Sequence, residues 1–153
     1  MQMAIVDFAR NVAKINDASS TEINPRTNNP VIIKLESEIN GDNVIRLGNY
    51  KCRLLEGTQA RRIYGLPEVQ ERHRNGYEFN NDYMEQFIAK GLTISGINED
   101  RNLVEIIEYS DHPFFIATQF LPEHKSRPNR PHPLFTHFLA AAIRNIKKPT
   151  IND

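Results

Sequence analysis

The sequence has little cysteine and no long hydrophobic segment. Its one cysteine, Cys52, excludes an intramolecular disulfide and is typical of proteins from a reducing compartment. The longest apolar run, residues 138–143, is far shorter than the roughly 20 residues that span a membrane. A signal peptide is not expected, because Asp7, Arg10 and Lys14 interrupt the apolar N-terminus. We therefore expect a cytoplasmic protein that does not enter a membrane.

Net charge is also absent, since nineteen Lys and Arg residues balance nineteen Asp and Glu residues. The segment 121–148 holds six Lys or Arg residues against one Glu, a bias that we interpret as a solvated face. The alternative is a nucleic-acid-binding module formed by Arg61, Arg62, Arg72, Arg74 and residues 125–132. Those positions lack the interleaved aromatic residues of a stacking platform. We therefore expect no nucleic-acid partner.

The length of 153 residues, 39% of them hydrophobic, predicts one domain with a single core. Hydrophobic periodicity predicts helices at 1–15, 81–90 and 133–146. The same analysis predicts strands at 31–35, 50–55, 68–74, 92–97, 103–109 and 114–120. The first two strands are separated by a polar turn at 40–42. Short connectors between the last three strands indicate an antiparallel meander. The expected class is α/β or α+β, with one sheet and helices on both faces.

Few residues suggest a catalytic or ligand-binding role when they are considered one at a time. Cys52 lies in an apolar strand, which is typical of a small buried hydrophobic residue and not of a nucleophile. The five histidines show no metal-ligand spacing, so we expect no metal site. No phosphate-binding loop is present. The residues alone therefore predict no more than a soluble α/β domain.

Several longer motifs resemble one family. Residues 91–135, which contain NLVEIIEY and QFLPEH, are similar to the end of the glutaminase domain of CTP synthases. Further family motifs follow the family order in ERHRNGYEFNN (71–81), RLGNYKC (46–52) and ASSTE (18–22). The start, MQMAIVDFAR, resembles the helix that follows the family's nucleophile. The chain is thus identified as the C-terminal part of a class I glutamine amidotransferase domain.

The resemblance implies a flavodoxin-like or Rossmann-like α/β fold, truncated at its N-terminus, with residues 1–153 forming one partial domain. In the family, a cysteine on a strand-to-helix turn attacks glutamine, a histidine acts as its base, and a glutamate orients the histidine. The released ammonia passes to a synthetase domain that aminates UTP at the expense of ATP. That domain is absent here, so ATP, UTP and Mg are not expected as cofactors of this chain.

Three departures from the family pattern concern the catalytic site. The nucleophile is absent, because its family position lies three residues before Met1. Leu121 occupies the histidine position, and Gly76 replaces an arginine that helps to hold glutamine. Glu123 matches the orienting carboxylate but has no histidine to orient. His124 is a weak candidate for a substitute base, because it lies at a different point of the turn.

Other remnants of the family's substrate site are present, since Met1, Gln2 and Glu22 match family positions near the glutamine. Taken together, these features predict a fragment or degenerate form that is inactive alone, with weak or no glutamine binding. One alternative is a glutaminase subunit whose partner chain supplies the cysteine. Another is a non-catalytic regulator that binds an intact CTP synthase.

Overall fold

The computed structural model describes residues 1–35 and 44–146, and these residues form four α-helices and eight strands in two sheets. The helices are α1 (Gln2–Asn11), α2 (Gln59–Tyr64), α3 (Met84–Ala89) and α4 (Pro133–Ile146). The strands are β1 (Ser19–Ser20), β2 (Pro30–Lys34), β3 (Arg46–Leu54), β4 (Glu68–Asn75), β5 (Tyr77–Phe79), β6 (Leu92–Asn98), β7 (Leu103–Tyr109) and β8 (Ile116–Thr118). The predicted turn at 40–42 lies outside the described residues.

The smaller sheet has the strand order β1-β2-β5. Strands β1 and β2 are parallel, whereas β2 and β5 are antiparallel. Helix α1 covers one face of this sheet, and its Ile5, Val6, Phe8 and Ala9 are buried there. Phe8 also packs on Phe87 of α3, with ring centroids 5.4 Å apart.

The larger sheet has the order β4-β3-β6-β7-β8 and is antiparallel throughout. Strands β6, β7 and β8 form the meander that the short connectors predict. Helices α2 and α4 cover a second core on this sheet, which includes Cys52, Ile106, Phe120 and Leu134. The prediction that Cys52 is a buried small residue is confirmed, since it is 0% exposed.

The expectation of one sheet is wrong for the described residues, which form two. The smaller sheet is separate because none of β1, β2 and β5 pairs with a strand of the larger sheet. Within the larger sheet, β3 pairs with β4 over eight residues but with β6 only at Arg53 and Leu54. The β3–β4 ribbon therefore extends beyond the meander. No apolar pattern in the sequence indicates this pairing, because seven of the eight residues of β4 are polar.

Helix α1 is shorter than the predicted helix at 1–15. It ends at Asn11, and Lys14 adopts a left-handed conformation with φ 62°, which interrupts the helix. The predicted helix at 81–90 is divided into a 3₁₀ turn at Asn81–Tyr83 and α3. Strand β7 and helix α4 have the predicted bounds. Within residues 1–35 and 44–146, no helix is both long and apolar enough to cross a membrane.

Candidate functional site

The carbonyl oxygen of Tyr77 joins three parts of the chain. Gln2, in the first turn of α1, donates from Nε2 to this oxygen at 3.0 Å. Gln119, just after β8, donates from its Nε2 at 2.6 Å. Asn75, at the end of β4, donates from Nδ2 at 3.2 Å. The start of α1, the β4–β5 turn and the end of the meander are therefore held together at one atom.

Gly76 lies in the turn between β4 and β5, two residues after the end of the predicted strand 68–74. Its carbonyl accepts a hydrogen bond from the Leu35 amide at 2.9 Å. A Cβ atom added at this position would lie 3.5 Å from the carbonyl oxygen of Val44, an ordinary van der Waals distance. Position 76 therefore has room for a side chain, so its glycine is not required by packing.

Leu121 lies two residues after Gln119 and begins the 3₁₀ turn Pro122–His124. Its amide donates to the carbonyl of Arg72 at 2.9 Å, which fixes this segment beside the edge strand β4. The Leu121 side chain is half-buried, whereas Glu123 and His124 are exposed. An aliphatic side chain at position 121 can neither accept nor donate a proton.

The remaining predicted residues are more dispersed. Met1 is half-buried, and its carbonyl accepts the first helical hydrogen bond of α1 from Ile5 at 3.1 Å. Glu22 is exposed in the turn after β1, where its amide donates to Oγ of Ser20 at 3.2 Å. The structure thus brings Gln2 close to the turn that contains Gly76, but it shows no hydrogen bond in the described residues that ties the Glu22 side chain to them.

A cavity of about 880 Å³ opens beside this site. Tyr77, Glu78 and Thr21 contribute to its wall. The predicted remnants Gln2, Glu22, Leu121 and Glu123 are not among its lining residues. This cavity therefore does not bring the predicted remnants together.

A buried ionic network supports the β4–β5 turn, and the sequence analysis missed it. Arg46 donates from Nη1 to Oε1 of Glu78 at 2.9 Å and from Nη2 to Oε1 of Glu105 at 2.5 Å. Glu78 also accepts a hydrogen bond from Nδ2 of Asn75 at 2.7 Å. Burial by itself lowers the pKa of Arg46, but the carboxylates of Glu105 and Glu78 outweigh this effect and raise it above the ordinary value. Arg46 therefore remains a cation in the core.

His73 completes the network on the other side of Glu105. Its Nε2 lies 2.6 Å from Oε2 of Glu105, and its Nδ1 lies 3.0 Å from the carbonyl oxygen of Glu71. The ring of His73 thus connects the side chain of Glu105 in β7 to the backbone of β4. The available sequence signal was Glu105, which is flanked by Val104, Ile106 and Ile107 in the strand LVEIIEY.

A second buried polar cluster joins β4 to the start of α4. The hydroxyl of Tyr64 donates to Oε1 of Glu71 at 3.0 Å, and Nε2 of His132 lies 3.1 Å from the same oxygen. The Leu134 amide donates to Nδ1 of His132 at 3.3 Å, so the ring hydrogen is on Nε2 and points to Glu71. Burial and the Glu71 carboxylate raise the pKa of Tyr64, which therefore stays neutral. The cluster has a structural role, because it connects α2, β4 and α4.

Comparison with known proteins identifies the class. A family model described as glutamine amidotransferase class-I matches residues 1–141. The chain therefore belongs to the class I glutamine amidotransferases. A protein from Thermoplasma acidophilum, described as a putative GMP synthase component, is similar with a TM-score of 0.51 and 17% identity, over 77% of this chain and 52% of that one. That likeness concerns the fold alone.

Closer relatives identify the family within this class. The chain is 53% identical over 148 residues to a CTP synthase from Moorella thermoacetica, covering 94% of this chain and 27% of the relative. It is 51% identical over 156 aligned residues to a CTP synthase from a Picosynechococcus species, covering 100% of this chain and 28% of the relative. A glutaminase domain of Trypanosoma brucei CTP synthase with bound acivicin has a TM-score of 0.87 and 34% identity, over 94% of this chain and 57% of that one. The chain is a member of the CTP synthase family and corresponds to part of its glutaminase domain, spanning about a quarter of the length of these curated relatives.

Proposed function

We propose that this chain is a non-catalytic form of the C-terminal part of a CTP synthase glutaminase domain. The observation that carries the proposal is Leu121, which occupies the position of the catalytic base in the family motif. A positioned acid–base group typically contributes about 10²–10⁴ in rate. No proton transfer is possible at an aliphatic side chain, so glutamine hydrolysis at this site lacks its base even when a cysteine is supplied.

Two further features support the proposal. Glu123, which matches the orienting carboxylate, is exposed and makes no side-chain hydrogen bond to another described residue. Gly76 provides no cation for the substrate, although a Cβ atom at position 76 would come no closer than 3.5 Å to its nearest neighbour. Gln2 keeps its contact with the neighbouring Tyr77 carbonyl. The scaffold of the site is therefore retained, whereas the groups that would perform the chemistry are absent.

A chimera tests this proposal directly. Residues 1–153 would replace the matching segment of the Moorella thermoacetica CTP synthase, whose own upstream segment then supplies the cysteine. We expect CTP formation from added ammonia to continue and CTP formation from glutamine to be lost. Introducing Leu121→His should restore part of the glutamine-dependent rate, and adding Gly76→Arg should lower the KM for glutamine.

The alternative of a working glutaminase subunit makes the opposite prediction. If the unmodified chimera releases glutamate from glutamine at a rate that Leu121→His does not raise, the site has another base and the proposal is wrong. His124→Ala then shows whether the neighbouring histidine supplies it. The ammonia-dependent rate serves as the control, because it reports whether the rest of the chimera is folded.

A further inference from the structure

The segment that follows β8 connects two strands that the order of the larger sheet keeps apart. Strands β4 and β8 lie at opposite ends of the order β4-β3-β6-β7-β8. The Gln119 amide donates to the carbonyl of Glu105 in β7 at 2.8 Å. Two residues later, the Leu121 amide donates to the carbonyl of Arg72 in β4 at 2.9 Å. The larger sheet is therefore curled until its edges approach each other, and residues 119–121, the closing segment, bridge them.

The side chain of Gln119 extends this bridge to the smaller sheet. It is buried, with 6% of the residue exposed, and its Nε2 donates to the carbonyl oxygen of Tyr77 at 2.6 Å. Tyr77 is the first residue of β5 and lies 42 positions away along the chain, so no local turn brings the two together. Gln2 and Asn75 donate to the same oxygen, but they come from α1 and β4. The carboxamide of Gln119 therefore joins the closing segment to the β4–β5 turn.

Two positions that the family resemblance assigns to the glutaminase site adjoin this contact. Leu121, at the position of the base, lies two residues after Gln119, and Gly76, at the position of the arginine, directly precedes Tyr77. Strand pairing does not fix the distance between them, because β4 and β5 belong to different sheets. We propose that Gln119 is a positioning residue, whose hydrogen bond to Tyr77 holds position 121 at a fixed place relative to position 76. This inference rests on the proposed function only for the assignment of these two positions.

Native-state hydrogen exchange of the full chain tests this contact without an activity assay. The reporters are the amides of Leu121 and Leu35, which donate to the carbonyls of Arg72 and Gly76. Gln119→Met keeps the length of the side chain but removes its donor. Exchange at both amides should become about two- to tenfold faster, the range expected for the loss of one buried hydrogen bond. The Leu35 amide is the decisive reporter, because it contacts the turn and not the closing segment.

Thr118→Val is the matched control. The Thr118 hydroxyl donates to the carbonyl of Phe120 at 2.9 Å, so the change removes one side-chain hydrogen bond within the same part of the chain. Urea denaturation of both variants gives the acceleration that a loss of global stability alone produces. We expect exchange at Leu35 to exceed that value in Gln119→Met and to match it in Thr118→Val.

The chimera with the Moorella thermoacetica enzyme measures the consequence for catalysis. In the chimera that carries Leu121→His, adding Gln119→Met should lower glutamine-dependent CTP formation by at least about tenfold, because a displacement of about 1 Å can cost about 10²-fold in rate. Adding Thr118→Val should change that rate by much less. The rate with added ammonia reports whether the chimera is folded. If Leu121→His alone restores no glutamine-dependent rate, the proposed function is wrong, whereas exchange at Leu35 still decides the role of Gln119.

Three results would overturn the role of Gln119. The first is exchange at Leu35 in Gln119→Met that is no faster than the loss of global stability explains. The second is an equal excess in Thr118→Val, which would mean that any lost hydrogen bond near β8 loosens the turn. The third concerns a Leu121→His chimera that uses glutamine. If Gln119→Met leaves its glutamine-dependent rate unchanged, or lowers it only in proportion to the ammonia-dependent rate, the residue does not position the base.

Discussion

The Nε2 atom of His73 lies 2.6 Å from Oε2 of Glu105, and neither side chain is exposed to solvent. The other oxygen of Glu105 accepts a hydrogen bond from Arg46, which is also fully buried. The Glu105 carboxylate thus contacts two buried side chains at once, one through each oxygen. Burying charged groups is favourable only when they are paired and hydrogen-bonded, so the network depends on every member.

Glu105→Gln should therefore destabilise the protein strongly. It removes the negative charge and replaces one of the two acceptor oxygens by an amide NH₂ group, so Arg46 and His73 cannot both keep their contact with an oxygen of residue 105. We expect the free energy of unfolding to fall by about 3–5 kcal/mol, measured by urea denaturation. Glu99→Gln is the matched control, because Glu99 pairs with Arg53 at 2.8 Å while 58% exposed. Such surface pairs contribute about 0–1 kcal/mol. Similar losses in both variants would contradict this account of the network.

Gly96→Ala should also be destabilising, for a steric reason. A Cβ at position 96 would lie 2.6 Å from Cγ1 of Ile106 and 2.7 Å from Sγ of Cys52. Relieving these contacts forces core side chains to move, at a cost of about 1–3 kcal/mol. Gly76→Ala is the control, because its nearest neighbour would be 3.5 Å away. A Cys52→Ala change should recover part of the loss in Gly96→Ala, and its failure to do so would show that Cys52 is not the obstacle.

Stability at alkaline pH should depend on Cys52. Burial raises the pKa of its thiol above the ordinary value of 9.0, and the nearby Glu105 and Glu71 carboxylates act in the same direction. The folded protein therefore retains a proton that the unfolded chain releases, so stability is complete below pH 9.0 and falls as the pH rises above it. Burial and the Glu71 carboxylate likewise raise the pKa of the Tyr64 hydroxyl above its ordinary value of 10.0, so Tyr64 lowers the stability further as the pH rises above 10.0.

Cys52→Ala separates the two contributions. Between pH 9.0 and 10.0 the unfolding free energy of the wild type should decline, whereas that of the variant should decline less. Urea denaturation at several pH values measures the two slopes. An unchanged slope in the variant would mean that the thiol titrates equally in the folded and unfolded states.

Glu108 should stabilise α2 from a distant strand. Its two carboxylate oxygens accept hydrogen bonds from the amides of Gln59 and Ala60 at 2.8 and 2.6 Å, in the first turn of that helix. Glu108→Gln should lower the free energy of unfolding by about 1–2 kcal/mol, because one acceptor and the charge near the helix dipole are lost. Glu85→Gln, at an exposed glutamate in the first turn of α3, should change it by less. Equal effects would contradict a specific role for Glu108.

The elements that the sequence predicts well are those with a strong apolar period. Strand β7 and helix α4 have the predicted bounds, because their own residues carry the pattern. Helix α2 was missed, since it has six residues and depends on Glu108, which is 48 positions from Ala60. The sequence does not predict strand β1 either, because two residues are too few to show a hydrophobic period.

The family motifs predict which residues are remnants of the glutaminase site. Gln2, Leu121 and Gly76 are assigned to it by resemblance, because the motifs are long and keep their order. The buried network could not be placed in this way. In β4, Glu71 and His73 point inward while Arg72 and Arg74 point outward, and all four are polar. Hydrophobicity cannot tell the two faces apart when both carry polar residues.

The sequence by itself determined the family, the leucine at position 121 and the apolar character of α4. Each of these is a property of local residues or of a continuous motif. Only the tertiary structure decided which charged residues are buried and which apolar residues remain exposed. Arg46 and Glu105 are 59 positions apart, and their contact exists only because β3 and β7 lie in one sheet. Leu139, Ile143 and Ile146 of α4 are exposed for the corresponding reason, since no described helix or strand packs over them.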